Sequence, residues 1–277
     1  MSEAVRACEV LRVDAGEATS ARDAVAVEAP LEVRLNGEPF SVIMRTPGAD
    51  RDLAAGFLFS EGVIGDRIDV VSIAVDADAS SVNVTLAPSR AAALPEILRA
   101  RRQVTMNSSC GMCGRVSVDS LERDVTVAAA AWTVPAAIIS TLPSTLRESQ
   151  RAFAETGGLH AAGLFDRDGH LERSAEDVGR HNAVDKLIGR MWLDGRLPLS
   201  DVLLCVSGRL SFELVQKALL AGVPLLAAVS APSSMAVDLA TQGGMTLVGF
   251  VRGERFNVYA HDARVALASA ASLQVER

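Results

Sequence analysis

The chain has 277 residues, room for one large or two small domains at roughly 150 residues each. Its composition is that of a globular protein rather than a disordered one: 49% hydrophobic, 4% aromatic and 22% charged. With 27 Lys and Arg against 34 Asp and Glu the net charge is −7, so the surface as a whole is not built for nucleic acid or anionic membrane. An anionic ligand would have to be held by local arginines.

The first 25 residues are small, polar and charged and are expected to form a loose tail. They contain no basic segment followed by an uninterrupted apolar run, so no signal peptide is expected. No apolar run approaches the ~20 residues of a membrane span, and a soluble, cytoplasmic protein is predicted. Leu31, Val33 and Leu35 alternate with polar residues as a strand does; Asn36-Gly37 is a turn signal, and Phe40 to Met44 gives a second strand. Asp50 is placed to cap a helix carrying Leu53, Phe57 and Leu58. Alternation returns at Val71–Val75 and Val82–Leu86, making residues 25–105 a small β-rich α+β unit.

Residues 106–124 break every period. Met106 to Arg115 reads as a functional loop around Cys110-Gly111-Met112-Cys113. Beyond it, residues 125–277 alternate strands and helices. A helix begins near Thr133-Pro135, and Leu159–Phe165 is a strand followed by a turn at 166–169. Val184, Leu187, Ile188, Met191 and Trp192 form a helical stripe. Val202–Val206 and Leu225–Val229 are apolar throughout, as in strands buried on both faces. Helices follow each of them, and a hairpin around Gly253 closes the set. The fold class is therefore α/β, a layered sandwich with a smaller β-rich unit before it.

Only four cysteines occur, Cys8, Cys110, Cys113 and Cys205, too few for a disulfide framework. Cys205 lies in an apolar strand and reads as a small buried hydrophobe. The Cys110–Cys113 pair is compatible with a shared metal, with disulfide exchange or with a persulfide, and each use needs thiolate. A zinc site would need four ligands and no second CxxC exists. A thioredoxin-like pair would open a helix after a first strand, whereas this one lies mid-chain. Arg99, Arg101, Arg102 and Arg115 are close in sequence and could favour thiolate.

Asn107–Arg115, Glu176–Gly189, Ser207–Leu226 and Ser230–Ala240, in that order, resemble the formate dehydrogenase accessory sulfurtransferase family, also called the FdhD family, over about residues 25–265. The resemblance implies a cytoplasmic homodimer with a cytidine-deaminase-like core. It would take sulfur from a cysteine desulfurase and pass it to the molybdenum or tungsten bis-guanine-dinucleotide cofactor needed by formate dehydrogenase, the cofactor being a bound substrate with a GDP-like moiety. No structural metal is expected. Cys110 matches the persulfide position, with Cys113 as a second thiol. Phe250, Val251, Arg252, Gly253, Glu254 and Arg255 match the segment that holds the guanine dinucleotide; taken alone they would be a charged hairpin turn. Ser207, Gly208 and Arg209 form a strand-to-helix loop of the kind that binds ligands in open α/β sheets. The cluster Glu176, Asp177, Arg180, His181, Asn182, Asp185 and Lys186 reads either as a capped helix with a solvated face or as a place where His181 shuttles a proton or donates to the cofactor. The alternative function is a noncatalytic chaperone of the cofactor or of apo-formate dehydrogenase; a zinc-stabilised nucleotide-binding module is a third. A deaminase reaction is not expected, since zinc deaminases place H-x-E before P-C-x-x-C. Here Asn-Ser-Ser precedes the CxxC, and all four histidines follow it.

Overall fold

The computed structural model describes residues 3–101 and 130–267, with the side chains of 99–101 excluded. These residues form two compact units that interleave along the chain. One holds the described residues up to 101 with 149–161 and 175–195; the other holds 130–148, 162–174 and 196–267. Cys110, Cys113, Arg102 and Arg115 lie outside the described residues.

In the first unit, β1 (Val5–Asp14) and β2 (Glu17–Ala26) pair antiparallel along their whole length as a two-stranded ribbon. This corrects the expectation of a loose tail. The turn residues Ala15 and Gly16 both have positive φ, 48° and 92°, the geometry a two-residue hairpin needs. Charged residues fall on both faces of the ribbon, so no clean apolar alternation marks it. Among the described residues it is anchored at its base, where Val5 packs with Ala152 and Leu159 and with the half-buried Ala24 and Ala26.

A four-stranded sheet follows, ordered β4-β3-β6-β5 from β3 (Ala29–Leu35), β4 (Glu38–Arg45), β5 (Val70–Asp76) and β6 (Ser81–Leu86). Asn36 and Gly37 make the expected turn, at φ 53° and 89°. The inward alternation of Leu31, Val33, Leu35, Val82, Val84 and Leu86 is buried. Helix α1 (Asp50–Ser60) is not capped by Asp50: Ala49 is the cap residue, at φ 55°, and Asp50 instead takes a bidentate pair from Arg45 Nε and Nη2, both at 2.8 Å. Pro88, favoured at a first helical position, opens α2 (Pro88–Arg101), which carries the alanines at 91–93.

The second unit starts with β7 (Val134–Pro135) and α3 (Ala136–Ser149); the short helix α4 (Arg151–Thr156) returns the chain to the first unit. A six-stranded mixed sheet has the order β13-β12-β11-β10-β8-β9. Its members are β8 (His160–Phe165), β9 (Leu171–Asp177), β10 (Leu203–Val206), β11 (Leu225–Ala228), β12 (Thr246–Arg252) and β13 (Arg255–Ala260). β10, β11 and β12 are parallel, while β8 and β13 run antiparallel to their neighbours. The parallel strands are linked by α6 (Phe212–Leu220) and α7 (Ser234–Gln242), and α5 (Arg180–Leu193) follows β9. β9 is an edge strand carrying Glu172, Arg173, Glu176 and Asp177, and that polarity hid it from a hydrophobic-pattern reading. β10 and β11 are buried at every residue, as continuous apolar strands should be.

Where the chain re-enters at Ala130 it is tied to the sheet. Arg264 donates from Nη2 to the Ala130 carbonyl at 3.3 Å, and from Nη1 to Pro224 O and Thr246 Oγ1 at 3.2 and 2.6 Å. Trp132 Nε1 donates to Ser200 O, and β7 pairs with β14 (Val265–Ala266). Among the described residues no helix is long and apolar enough to cross a membrane.

Candidate functional site

The carboxyl ends of the parallel strands gather two of the sequence-predicted segments on one edge of the sheet. Ser207-Gly208-Arg209 leaves β10, and Phe250 to Arg255 spans the end of β12, its turn and the start of β13. The intervening loop after β11 stitches to both. Leu210 donates its N–H to Ala231 O at 3.0 Å, Ser233 returns one to Leu210 O at 2.9 Å, and Phe250 donates to Ser230 O at 3.1 Å. Open α/β sheets bind ligands at this edge because the strand-to-helix loops fan out there.

A cavity of about 940 Å³ opens on the β12–β13 hairpin. Phe250, Arg252, Glu254 and Arg255 line it, joined by Phe256, Asn257 and Val258 from β13 and by Ala136 and Leu267. Ser207, Gly208 and Arg209 are not among the lining residues, and Val251 points into the core at 1% exposed. The sequence reading stopped at Arg255; apolar alternation of Phe256 with Val258 is the signal that extends the lining along β13.

Two features of the hairpin carry an electrostatic or conformational cost. Arg252 and Arg255 are direct cross-strand partners, both exposed, and like charges facing each other destabilise a ladder. An anion between them would turn that repulsion into two charge-assisted contacts. Phe250 has φ 55°, left-handed backbone that an aromatic residue adopts only under constraint. A bulge between Gly249 and Arg252 and the bond to Ser230 O supply that constraint. Space beside it is tight: a Cβ at Gly249 would fall 3.0 Å from the Tyr259 ring and 3.1 Å from Ser230 O. The result presents the Phe250 ring, 38% exposed, to the cavity. Strain of this kind persists where a site over-determines it. Phe250→Gly relieves that strain but loses the packing of the ring and frees the unfolded chain, so it is expected to change stability by no more than about 1 kcal/mol in urea unfolding.

The Glu176–Lys186 cluster belongs to the other compact unit. Its helix does not present a solvated face: Asp177, His181, Asn182, Asp185 and Lys186 are all buried. Asp177 Oδ1 accepts from Gly179 N at 2.8 Å and Asn182 Nδ2 at 2.9 Å, and its Oδ2 accepts from Thr46 N at 3.1 Å. Lys186 Nζ completes the carboxylate at 2.7 Å and also donates to Thr46 O and Glu176 O. Asp185 takes the Ser60 hydroxyl at 2.8 Å. Glu176 accepts from the N–H groups of Ala152 and Phe153, capping α4 from another element. His181 is held in the first turn of α5 at 7% exposed.

Cys205 is fully buried and its thiol is pushed up to about 12 by that burial, so it is not a thiolate nucleophile. A His-x-Glu sequence does occur, at His170-Leu171-Glu172, but it follows the CxxC in the chain. His170 bonds Asp166 on the β8–β9 turn and Glu172 pairs with Arg196 at 2.8 Å.

Comparison with known proteins completes the picture. The sulfur carrier protein FdhD of Streptomyces avermitilis is 49% identical over 280 residues, covering 95% of this chain and 96% of that protein. The protein of the same name from Mycobacterium tuberculosis is 45% identical over 269 residues, covering 92% and 96%. A crystal structure of a putative formate dehydrogenase accessory protein from Desulfotalea psychrophila superposes with a TM-score of 0.76 at 26% identity, covering 95% of this chain and 99% of that one. The FdhD/NarQ family model matches residues 26–266. The chain belongs to the FdhD/NarQ family.

Proposed function

We propose that this protein is a cytoplasmic sulfur carrier for formate dehydrogenase maturation. It takes sulfur from a cysteine desulfurase onto Cys110 and delivers it to the molybdenum or tungsten bis-guanine-dinucleotide cofactor. The names of relatives at up to 49% identity support the sulfur-transfer role. The facing pair Arg252–Arg255 on a cavity that also holds Phe250 and Phe256 is the observation that favours a ligand with phosphates and a flat base. The strand order, with an antiparallel hairpin β8–β9 beside parallel β10, β11 and β12, supports a deaminase-like layering for this unit.

In this reading the Cys110 thiolate attacks the outer sulfur of the donor persulfide. The donor S–S bond breaks, the desulfurase cysteine leaves as thiolate, and Cys110 becomes a persulfide. Cys113 thiolate then attacks the inner sulfur of Cys110. A Cys110–Cys113 disulfide forms, the outer sulfur leaves as sulfide for the metal, and a thiol reductant restores the pair. Arg252 and Arg255 pair the phosphates, Glu254 accepts from the guanine edge, and Phe250 and Phe256 flank the base. Ser207, Gly208 and Arg209 are secondary contacts to the same substrate, and the protein acts as a homodimer.

The test is sulfur loading. After incubation with a cysteine desulfurase and cysteine, intact mass should show one added sulfur, mapping to the CxxC peptide. Cys110→Ala should carry none and should leave formate dehydrogenase inactive in a cell dependent on this protein. Absence of any adduct on the natural protein would support the noncatalytic chaperone instead.

A further inference from the structure

The β1–β2 ribbon takes no part in the cavity or in the buried network. Among the described residues nothing packs on it beyond its base: Arg6, Ala7, Glu9 and every residue from Leu11 to Ala15 are exposed, with Leu11 at 68% and Val13 at 63%. Among the described residues neither of its long edges has a third strand. Nearly all of it precedes residues 26–266, the part the family model matches. An isolated two-stranded ribbon is marginal in water, and an open edge offers a row of unpaired N–H and C=O groups that another strand can take up.

We infer that β1 pairs edge to edge with β1 of a second copy, antiparallel about a twofold axis at Val10, giving a four-stranded sheet across two chains. This rests on the homodimer proposed above and names its surface. Charge placement selects both the edge and the register. A twofold axis opposes one residue to itself and pairs the others symmetrically. Centred on Glu9, it would face Glu9 with Glu9 and Arg6 with Arg12; centred on Arg12, it would face two arginines. Centred on Cys8 or Leu11, it forms no ion pair; centred on Val13, it pairs Arg12 with Asp14 but brings only the last few residues before the turn opposite one another. Centred on Val10, it faces Arg6 with Asp14 of the second copy, twice by symmetry, and brings no like charges together. The β2 edge is poorer. Its central registers oppose Arg22 or Asp23 to itself or Asp23 to Glu17, and the register at Ala21 forms no ion pair. The ladder geometry fits as well. A two-residue turn makes Asp14–Glu17 a hydrogen-bonded pair, so the odd residues of β1 aim their backbone groups outward. Val10 and its symmetry mate then form a close, non-hydrogen-bonded pair, with Cα atoms about 4.5 Å apart.

That spacing is within disulfide reach, about 4.4–6.8 Å between Cα atoms. The full-length double variant Cys8→Ser, Val10→Cys should form a covalent dimer under mild oxidation, joined through the two position-10 thiols in peptide mapping. The double variant Cys8→Ser, Leu11→Cys should crosslink far less. By sedimentation, Arg6→Asp and Asp14→Arg should each weaken the dimer about tenfold, and the two together should restore it. A natural protein that is dimeric while Val10→Cys gives no crosslink, and while both charge reversals leave sedimentation unchanged, would overturn the arm interface and leave the homodimer standing. A natural protein that remains monomeric at high micromolar concentration would overturn both. Sulfur loading of Cys110 is read separately and is unaffected by either result.

Discussion

Gly189→Ala is expected to destabilise the first compact unit by about 3 kcal/mol. Intrinsic propensity predicts the opposite sign, since alanine in mid-helix is favoured over glycine by roughly 0.5–1 kcal/mol. The reason lies in the crossing of α1 and α5. A Cβ at Gly189 would collide with the carbonyl oxygen of Asp52, and a Cβ at Gly56 on the opposite helix would collide with the carbonyl oxygen of Asp185. Both obstacles are backbone, which cannot swing aside as the end of a flexible side chain can. The helices must separate, and Leu53, Leu58, Ile188 and Met191, all at most 1% exposed, lose contact. Gly56→Ala should cost a comparable amount, and the two together less than the sum, because the first substitution already opens the crossing. Urea unfolding followed by circular dichroism measures each. A change below about 1 kcal/mol for both variants would show that the crossing is looser than described.

The second large effect is expected at the buried ion pair. Lys186 and Asp177 are 4% and 0% exposed at their side chains, 2.7 Å apart. Lys186→Met strands a carboxylate in the interior and leaves the Thr46 and Glu176 carbonyls without their donor, at a cost of about 3–5 kcal/mol. Asp177→Asn should be of similar size, since the amide nitrogen cannot accept from the donors that converge on that carboxylate. The double variant should lose clearly less than the two single losses added, because the penalty comes from leaving one charge alone rather than from the strength of the pair. Additive losses in a double-mutant cycle would mean that the two residues act independently. The pair ties the end of β9 to α5 and to the residue after β4, which keeps His181 in a fixed first turn.

Legibility varied with the range of the interaction. The buried strands β10 and β11 were plain because a continuous apolar run needs no knowledge of its partners. The Asn36-Gly37 turn was plain because its backbone demand is local. The ribbon at residues 5–26 was missed because its charges fall on both faces and its stability comes from strand pairing. β9 was missed because an edge strand in water tolerates charge. The polar start of α5 misled for a different reason. Local composition reports that Asp177, Asn182, Asp185 and Lys186 are polar, whereas their burial depends on partners such as Ser60 and Thr46, more than a hundred residues away.

By itself, then, the sequence determined that two thiols three apart occupy a segment without periodicity, that Cys205 belongs to a core strand, and that arginines cluster around Gly253. It also carried the motifs that placed the chain in its family. The tertiary structure alone decided that Arg252 faces Arg255 on the rim of a cavity, that Phe250 is held in left-handed backbone beside it, and that two glycines let α1 and α5 touch backbone to backbone. Short-range patterns reveal which face of an element is apolar. Which faces meet, and which charges are thereby forced together, is set by contacts between residues far apart in the chain.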